Sequence, residues 1–138
     1  MDWKFTVYVS STGRSDVQDE VNRLTVEALE RFAAAVRYLA ITPKSEWNEP
    51  KAKKLTGYKE LYEIRFIANN VQLRPIGYFG PEAYQFTILI WATHKQNVYK
   101  PSDAFGSSIR RKKAIHEKTA WIATLQIDGE DFPPDGEA

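Results

Sequence analysis

The pattern of apolar and polar side chains predicts a strand followed by a long helix at the start of the chain. Residues 4–10 alternate polar with apolar or aromatic side chains, which is typical of a strand with one buried face. After a turn, Ser15 and Gln18 have the spacing of a capping box, and apolar residues then recur at three- and four-residue steps. They are Val21, Leu24, Ala28, Phe32, Val36 and Leu39. This spacing predicts one amphipathic helix over roughly residues 16–40 that packs its apolar face against a sheet.

The chain continues with a short helix and then three strands. Thr42-Pro43 ends the helical pattern, because proline disfavours helix in the residue that precedes it. A second, shorter helix is predicted within residues 44–55, and Gly57 is suited to stop it. The three strands that follow, separated by turn sequences, are predicted at about 59–67, 71–79 and 84–93.

The order of the elements predicts the fold class. Pro101-Ser102-Asp103 opens a further helix, whereas the segment around Trp121 fits helix or extended chain equally. The order β-α-α-β-β-β-α predicts a two-layer α+β fold, with a mostly antiparallel sheet and the two N-terminal helices on one face. The last helix is expected near the edge of a partly open second face. We assign residues 1–127 to a single domain, and the acids, prolines and glycines of residues 128–138 predict a disordered tail.

Charge is distributed unevenly along the chain, although the whole chain has a net charge of only +1. Residues 1–50 carry a net charge of −2, residues 51–118 carry +8 and residues 119–138 carry −5. We call residues 51–118 the basic block. A basic block between acidic segments favours a polyanionic partner such as RNA. A lysine-rich solvated surface without a partner is the alternative that charge alone leaves open.

Composition excludes several classes of site. With no cysteine, the chain cannot form a disulfide, a thiolate zinc site or a cysteine nucleophile. His94 and His116 are far apart and belong to no HExxH motif, so neither a metal site nor a cofactor is expected. No apolar run approaches the ~18 residues of a membrane helix, and the first residues lack a signal-peptide pattern. We therefore expect a cytoplasmic protein without membrane contact.

Cleavage of RNA needs fewer protein groups than these sites do, because the 2′-hydroxyl of RNA supplies the nucleophile. The protein has to accept that proton, neutralise the phosphorane and protonate the leaving 5′ oxygen. Arginine donates parallel hydrogen bonds to phosphate, and histidine, tyrosine or lysine can move protons when neighbouring charges shift their pKa. Residues of these types stand at or just beyond the ends of the predicted strands: Arg65, Arg74, His94, Lys95 and Tyr99.

Three segments also resemble those of a known family in their order and in their residue types. They are Leu61-Tyr62-Glu63-Ile64-Arg65, Arg74-Pro75-Ile76-Gly77-Tyr78-Phe79, and Leu89-Ile90-Trp91-Ala92-Thr93-His94-Lys95 continuing to Lys100-Pro101. This order is similar to that of the RelE/HigB-type toxins of bacterial type II toxin–antitoxin systems, in the phage-derived-like branch of the RelE/ParE superfamily. The resemblance covers roughly residues 15–118 and implies a RelE-like fold.

The resemblance also implies a function, that of an mRNA interferase. Such a toxin is a ribosome-dependent endoribonuclease that cleaves mRNA by 2′-hydroxyl attack, inhibits translation and is restrained by a cognate antitoxin. By position, Arg74 would contact the scissile phosphate. The residues that would assist proton transfer are His94, Lys95 and Tyr99. The cations expected to bind RNA are Arg65, Lys53, Lys54, Arg110, Arg111, Lys112 and Lys113.

Alternatives remain open for the protein and for individual residues. A toxin of the same fold can inhibit a protein target such as gyrase without cleaving RNA, and a nucleic-acid-binding module needs no catalysis. Arg65 has a structural alternative as the ion-pair partner of Glu63 or of an acidic residue in the first helix. The basic run at residues 110–113 has one as a solvated helix face.

Overall fold

Three α-helices and twelve short strands make up the described part of the chain, residues 2–58 and 60–134 of a computed structural model. The helices are α1 (Asp16–Asn22), α2 (Val26–Ala40) and α3 (Ala104–His116), and a 3-10 turn spans Lys44–Glu46. The strands are β1 (Lys4–Val9), β2 (Ala52–Lys54), β3 (Tyr62–Ile64), β4 (Phe66–Ala68), β5 (Val71–Leu73), β6 (Ile76–Phe79), β7 (Gln85–Ile90), β8 (Thr93–Lys95), β9 (Val98–Lys100), β10 (Trp121–Thr124), β11 (Gln126–Ile127) and β12 (Glu130–Asp131). The α+β class predicted from the sequence is confirmed.

The strands form a main sheet, a small sheet and a hairpin. The main sheet has six strands in the order β10-β1-β7-β6-β3-β2, and the small sheet has four in the order β4-β5-β8-β9. Neighbouring strands are antiparallel except β1 and β7, which are parallel with Phe5 opposite Phe86. The long connection between β1 and β7 permits parallel pairing, which a tight hairpin cannot provide. The sheets are thus mostly antiparallel, as predicted.

Each of the three predicted central strands is broken into two pieces, one in each sheet. The breaks fall at Arg65 between β3 and β4, at Arg74-Pro75 between β5 and β6, and at Trp91-Ala92 between β7 and β8. Pro75 has no N–H to donate to a ladder, which favours a break there. Backbone hydrogen bonds of 2.8 Å from Ile64 N to the Pro75 carbonyl and from Arg74 N to the Ala92 carbonyl hold the junction. The two sheets therefore meet at a junction that contains Arg65 and Arg74.

The single helix predicted over residues 16–40 is wrong, because the chain forms two helices there. The break lies at residues 23–25, where the Thr25 side chain accepts a hydrogen bond from Ala28 N at 3.2 Å and caps α2. Threonine side chains that bond to backbone groups in this way compete with helix continuation. Leu24 lies in the break and is only half-buried. The rest of the apolar face is buried as predicted, including Phe32, Val36 and Leu39.

The second helix predicted within residues 44–55 is also wrong. Only the 3-10 turn at Lys44–Glu46 is helical, and β2 then pairs with β3 at the edge of the main sheet. Pro50 interrupts a helix in this segment, and Ala52 is fully buried within β2. Tertiary burial and strand pairing therefore outweigh the helical preference of the surrounding residues.

The main sheet is covered on both faces. On one face, α1 and α2 enclose a core that contains Phe5, Val17, Phe32, Val36, Leu39, Trp47 and Phe86. On the other face, α3 packs on β6 and β7, and its Ala104 and Ile115 lie in a second core with Tyr78. The position of α3 over central strands differs from the open face predicted from the sequence. The small sheet packs on α2, where the rings of Phe32 and Phe66 have centroids 5.6 Å apart.

The segment predicted to be a disordered acidic tail is folded as far as the structure describes it. β11 and β12 form a hairpin around Gly129, whose φ of +80° suits glycine. Phe132 is buried in the core beside α2, with its ring 4.9 Å from the guanidinium carbon of Arg37 and its N–H donating to the Leu125 carbonyl. Residues 128–134 therefore belong to the domain, because an aromatic side chain anchors them. The rest of the predicted tail, residues 135–138, lies outside the described residues.

Phe132→Ala is expected to lower the free energy of unfolding by about 3 kcal/mol, because truncating a buried phenylalanine removes apolar burial and leaves a cavity. Urea unfolding followed by circular dichroism measures this change. Glu130→Ala alters an exposed side chain in the same hairpin and should stay within about 0.5 kcal/mol of the wild type. Equal stability of Phe132→Ala and the wild type would show that the segment does not pack on the core.

Candidate functional site

Glu63 lies at the junction between the two sheets. It is the one charged side chain among the described residues that is fully buried, with 0% exposure. Its Oε2 accepts hydrogen bonds from Arg65 Nε at 2.6 Å and from Arg74 Nη1 at 3.0 Å, and its Oε1 accepts one from the Tyr99 hydroxyl. A buried carboxylate is costly unless charged and polar donors satisfy it. Glu63 is therefore the group that gathers Arg65, Arg74 and Tyr99 at one place.

Arg65 and Arg74 also line a groove of about 460 Å³ beside α2. The charged residues of its lining are Arg31, Lys51, Arg65, Arg74 and Glu49, and its apolar lining includes Ala35, Phe66 and Ile67. Four cations against the carboxylates of Glu49, of Glu27 beside Arg31 and of the buried Glu63 leave the groove with a small excess of positive charge. In the contacts described, Arg65 bonds to Glu63 and Glu49, and Arg74 bonds to Glu63 and Gln72. Since a guanidinium has five N–H donors, each arginine retains donors for an anionic ligand.

A row of four side chains crosses the small sheet next to the arginines. Ile67 on β4 is opposite Gln72 on β5, Gln72 is opposite His94 on β8, and His94 is opposite Tyr99 on β9. Residues directly opposite one another in antiparallel strands share a face, so this row lies on one face of the small sheet. The His94 and Tyr99 rings have centroids 4.7 Å apart. The row continues to Glu63 through the Tyr99 hydroxyl.

The surroundings of His94 and Tyr99 shift their pKa values in opposite directions. Partial burial, and then the positive charge of Arg74, lower the pKa of His94 below its usual 6.5, against a smaller opposing effect of Glu63. Burial, assisted by the hydrogen bond to Glu63, raises the pKa of Tyr99 to about 12. At neutral pH the His94 imidazole is therefore mainly uncharged and able to accept a proton, whereas Tyr99 retains its proton.

Lys95 does not join this cluster. It follows His94 directly on β8, and successive side chains of a strand point to opposite faces of the sheet. Its cross-strand partner is Val98, and its side chain is exposed. The sequence-based assignment of Lys95 to the proton-transfer group is therefore not supported by its position, because the residue lies on the opposite face from His94.

Most of the cations predicted to bind RNA lie next to carboxylates. Lys53 is 3.7 Å from Glu49, Arg110 is 3.1 Å from Asp103, Arg111 is 2.7 Å from Asp16, Lys112 is 3.0 Å from Glu60, and Lys113 is 3.8 Å from Glu117. Lys54 is exposed at the end of β2. Consecutive residues of a helix point in directions about 100° apart, so residues 110–113 surround α3 and do not form one patch. Acidic side chains, some of them from outside residues 51–118, therefore separate the cations that the basic block contributes to the surface.

Arg111 has a structural role within this set. Its two terminal nitrogens donate to both carboxylate oxygens of Asp16 at 2.8 and 2.7 Å, and Nη1 also donates to the Leu89 carbonyl at 2.9 Å. Its guanidinium lies over the ring of Tyr8 at 4.6 Å. The hydrogen bond and charge of Arg111 lower the pKa of Asp16. Arg111 therefore connects α3 with α1 and the main sheet.

Arg111→Ala is expected to destabilise the protein by about 2 kcal/mol, because it removes several hydrogen bonds to a charged partner. Lys113→Ala, which removes an exposed cation from the same helix, should change stability by less than about 0.5 kcal/mol. The lowered pKa of Asp16 makes its ionised form stabilising above the unfolded pKa of about 3.9, and this contribution is lost as the pH falls through the folded value. The difference between wild type and Arg111→Ala in urea unfolding should therefore shrink at acidic pH; a pH-independent difference would argue against the ion pair.

Two residues of the site were not predicted as such from the sequence. The sequence predicts Glu63 only as a partner of Arg65, although a carboxylate between the strand residues Tyr62 and Ile64 is a signal for a buried polar site. Gln72 gave no signal at all. Its importance depends on the register that places it opposite His94, and cross-strand register is not visible in local sequence.

Comparison of the chain with protein-family models, curated proteins and solved structures finds no significant match. Within residues 2–58 and 60–134, no group of three or more His, Cys, Asp or Glu side chains is arranged to hold a metal ion. Over the same residues, no helix combines the length and apolar character needed to cross a membrane.

Proposed function

We propose that this protein is a RelE/HigB-type toxin, an endoribonuclease that cleaves mRNA through attack by the RNA 2′-hydroxyl. The observation that carries the proposal is the clustering of Arg65, Arg74 and Tyr99 around one buried carboxylate, with the His94 ring packed beside Tyr99. Glu63 and Tyr99 are 36 positions apart, so local sequence does not explain their contact. A phosphate-binding pair of arginines beside a neutral histidine is the combination that phosphodiester cleavage requires.

The proposed steps use only groups of the junction and of the RNA. The imidazole of His94 accepts the 2′-hydroxyl proton, and the 2′ oxygen bonds to phosphorus. The guanidinium groups of Arg65 and Arg74 stabilise the charge that develops on the phosphorane. The bond between phosphorus and the 5′ oxygen then breaks, leaving a 2′,3′-cyclic phosphate. Tyr99, which retains its proton at neutral pH, is assigned to protonate the 5′ oxygen. For this step its hydroxyl turns from Glu63 to the RNA, and solvent then returns a proton to the phenolate.

The biological context rests on the resemblance of the three sequence segments to the toxin family. The order of the elements supports it in part: the three broken strands precede α3, although α1 and α2 both derive from the first predicted helix and β2 replaces the second. We infer from this a RelE-like fold, mRNA on the ribosome as the substrate, and a separate antitoxin protein as the partner that restrains the activity. The positive groove lined by Arg65 and Arg74 suits the phosphate backbone of the RNA.

The pH dependence of cleavage should follow His94. A general base acts when deprotonated, so kcat/KM should rise with pH and reach a plateau near neutrality. Because burial and Arg74 lower the pKa of His94, the midpoint of this rise should lie below its usual value of 6.5. Initial rates on a short RNA between about pH 5 and pH 9 measure this midpoint. A midpoint above the usual histidine value would contradict the assignment of His94 as the base.

Expression in bacterial cells tests the proposed function as a whole. Induction of the wild type without an antitoxin is expected to arrest growth and to produce new 5′ ends in mRNA, mapped by primer extension. Growth arrest without new 5′ ends would favour a toxin that inhibits a protein target such as gyrase. A folded protein that causes neither effect would favour a nucleic-acid-binding module. The control is the His94→Gln variant induced to the same protein level. It is expected to produce no new 5′ ends.

A further inference from the structure

Gln72 bridges the proposed phosphate-binding arginine and the proposed base. Its side-chain Oε1 accepts a hydrogen bond from Arg74 Nη2 and lies 3.3 Å from His94 Nδ1. The three residues come from β5, the β5–β6 break and β8, and the register of β5 and β8 places Gln72 directly opposite His94. One carboxamide oxygen therefore contacts both functional side chains of the junction.

The orientation of the Gln72 amide is fixed by chemistry. A guanidinium has only N–H donors, so the Gln72 atom that faces Arg74 has to be an acceptor, which is the oxygen. The same oxygen faces Nδ1 of His94, and two acceptors cannot share a hydrogen bond. Nδ1 of His94 therefore has to carry the proton. In a neutral imidazole this leaves Nε2 with a free lone pair.

We propose that Gln72 is a positioning residue that holds His94 as the Nδ1-protonated tautomer and thereby makes Nε2 the proton acceptor. The use of Nε2 to accept the 2′-hydroxyl proton rests on the proposed function; the tautomer itself does not. Arg74 contributes to the same effect, because its charge orients the Gln72 oxygen. The phosphate-binding and proton-accepting sides of the site are thus linked through a single carboxamide.

The other groups that face His94 are consistent with this assignment. Tyr99, on β9, packs its ring beside the imidazole at an angle of 55° and donates a hydrogen bond from its hydroxyl to Glu63. Glu63, in β3, and Arg65, at the β3–β4 break, act on His94 through charge, with opposite effects on its pKa. None of these contacts supplies a second acceptor to Nδ1 among the described residues, so Gln72 alone selects the tautomer.

Nitrogen NMR of the full-length protein measures the tautomer directly. The chain contains only two histidines, so ¹⁵N-histidine labelling gives two imidazoles. His116, which ends α3 and lies 3.1 Å from the Tyr78 hydroxyl, serves as the internal reference. In the neutral form, His94 is expected to show a protonated Nδ1 and an unprotonated Nε2. Gln72→Met keeps a side chain of similar length but removes the amide acceptor, so His94 should lose this preference while His116 stays unchanged. Gln96→Met, at an exposed turn, is the matched control.

Gln72→Glu provides a second variant that keeps the acceptor. It should retain the Nδ1-protonated tautomer and raise the pKa of His94, since a carboxylate favours the imidazolium ion. In cleavage assays, Gln72→Met should lower kcat by on the order of 10–10²-fold with KM nearly unchanged. Gln72→Glu should instead move the acidic limb of kcat/KM to higher pH.

The results separate the two proposals. A wild type with Nε2 protonated, or a His94 spectrum that Gln72→Met leaves unchanged, would overturn the role of Gln72 even if RNA is cleaved. The expected tautomer and its loss in Gln72→Met, in a protein that cleaves no RNA, would uphold the role of Gln72 and overturn the proposed function.

Discussion

His94→Gln is expected to lower the rate of RNA cleavage by about 10²–10⁴-fold, which is the range that a general base contributes. Glutamine keeps hydrogen-bonding capacity and approximate size but cannot accept the 2′-hydroxyl proton at neutral pH. RNA affinity should remain largely intact, because the arginines of the groove are unchanged. Single-turnover cleavage and equilibrium binding, measured on the same RNA, separate the two effects.

Lys95→Gln is the matched control for this prediction. Lys95 is adjacent to His94 in the chain but lies on the opposite face of β8, so its loss should leave the cleavage rate close to that of the wild type. The two variants differ by one position and by the face of the sheet. Equal losses in both variants would mean that the imidazole has no specific role and that general positive charge supports cleavage.

Glu63→Ala is expected to have the largest effect on stability, with a loss of about 3–5 kcal/mol in the free energy of unfolding. The change leaves Arg65 and Arg74, whose side chains are only 20% and 13% exposed, without their shared counter-charge. It also removes the acceptor of the Tyr99 hydroxyl and leaves a cavity in the junction. Urea unfolding at neutral pH measures the loss.

Two further variants sharpen the test of Glu63. Glu63→Gln keeps an acceptor for the surrounding donors but removes the charge, so its loss of stability should be smaller than that of Glu63→Ala. Glu82→Ala removes an exposed carboxylate from the β6–β7 turn and should stay within about 0.5 kcal/mol of the wild type. If Glu63→Ala were as stable as Glu82→Ala, Glu63 would not organise the junction.

Regular elements of the fold could be predicted because their patterns are local. Alternation identified β1, and the apolar spacing of α2 identified the side chains that fill the core. The helix break at Thr25 was missed because a capping threonine and an ordinary helical threonine look alike in a periodic pattern. The anchoring of the C-terminal segment was missed because it depends on one side chain, Phe132, within an otherwise polar and acidic sequence.

The candidate site was predicted in part for the same reason. Arg74, His94 and Tyr99 could be recognised by residue type and position near strand ends, and the structure brings them together. Lys95 does not lie with His94, because the side chains of successive residues in a strand point to opposite faces of the sheet. Gln72 was invisible because its contacts depend on the pairing of β5 with β8. The positive charge that the basic block presents on the surface is smaller than its net charge suggests. Net charge along a chain does not show which cations pair with carboxylates in the fold.

The chemical nature of the cleaved RNA ends tests the central claim most directly. Purified protein is incubated with mRNA bound to ribosomes, and the products are examined by mass spectrometry. Attack by the 2′-hydroxyl predicts a 2′,3′-cyclic phosphate on one fragment and a 5′-hydroxyl on the other. An otherwise identical RNA with a single 2′-deoxy nucleotide at the scissile position should remain uncut. Products with 3′-hydroxyl and 5′-phosphate ends, or cleavage of the deoxy substrate, would contradict the account.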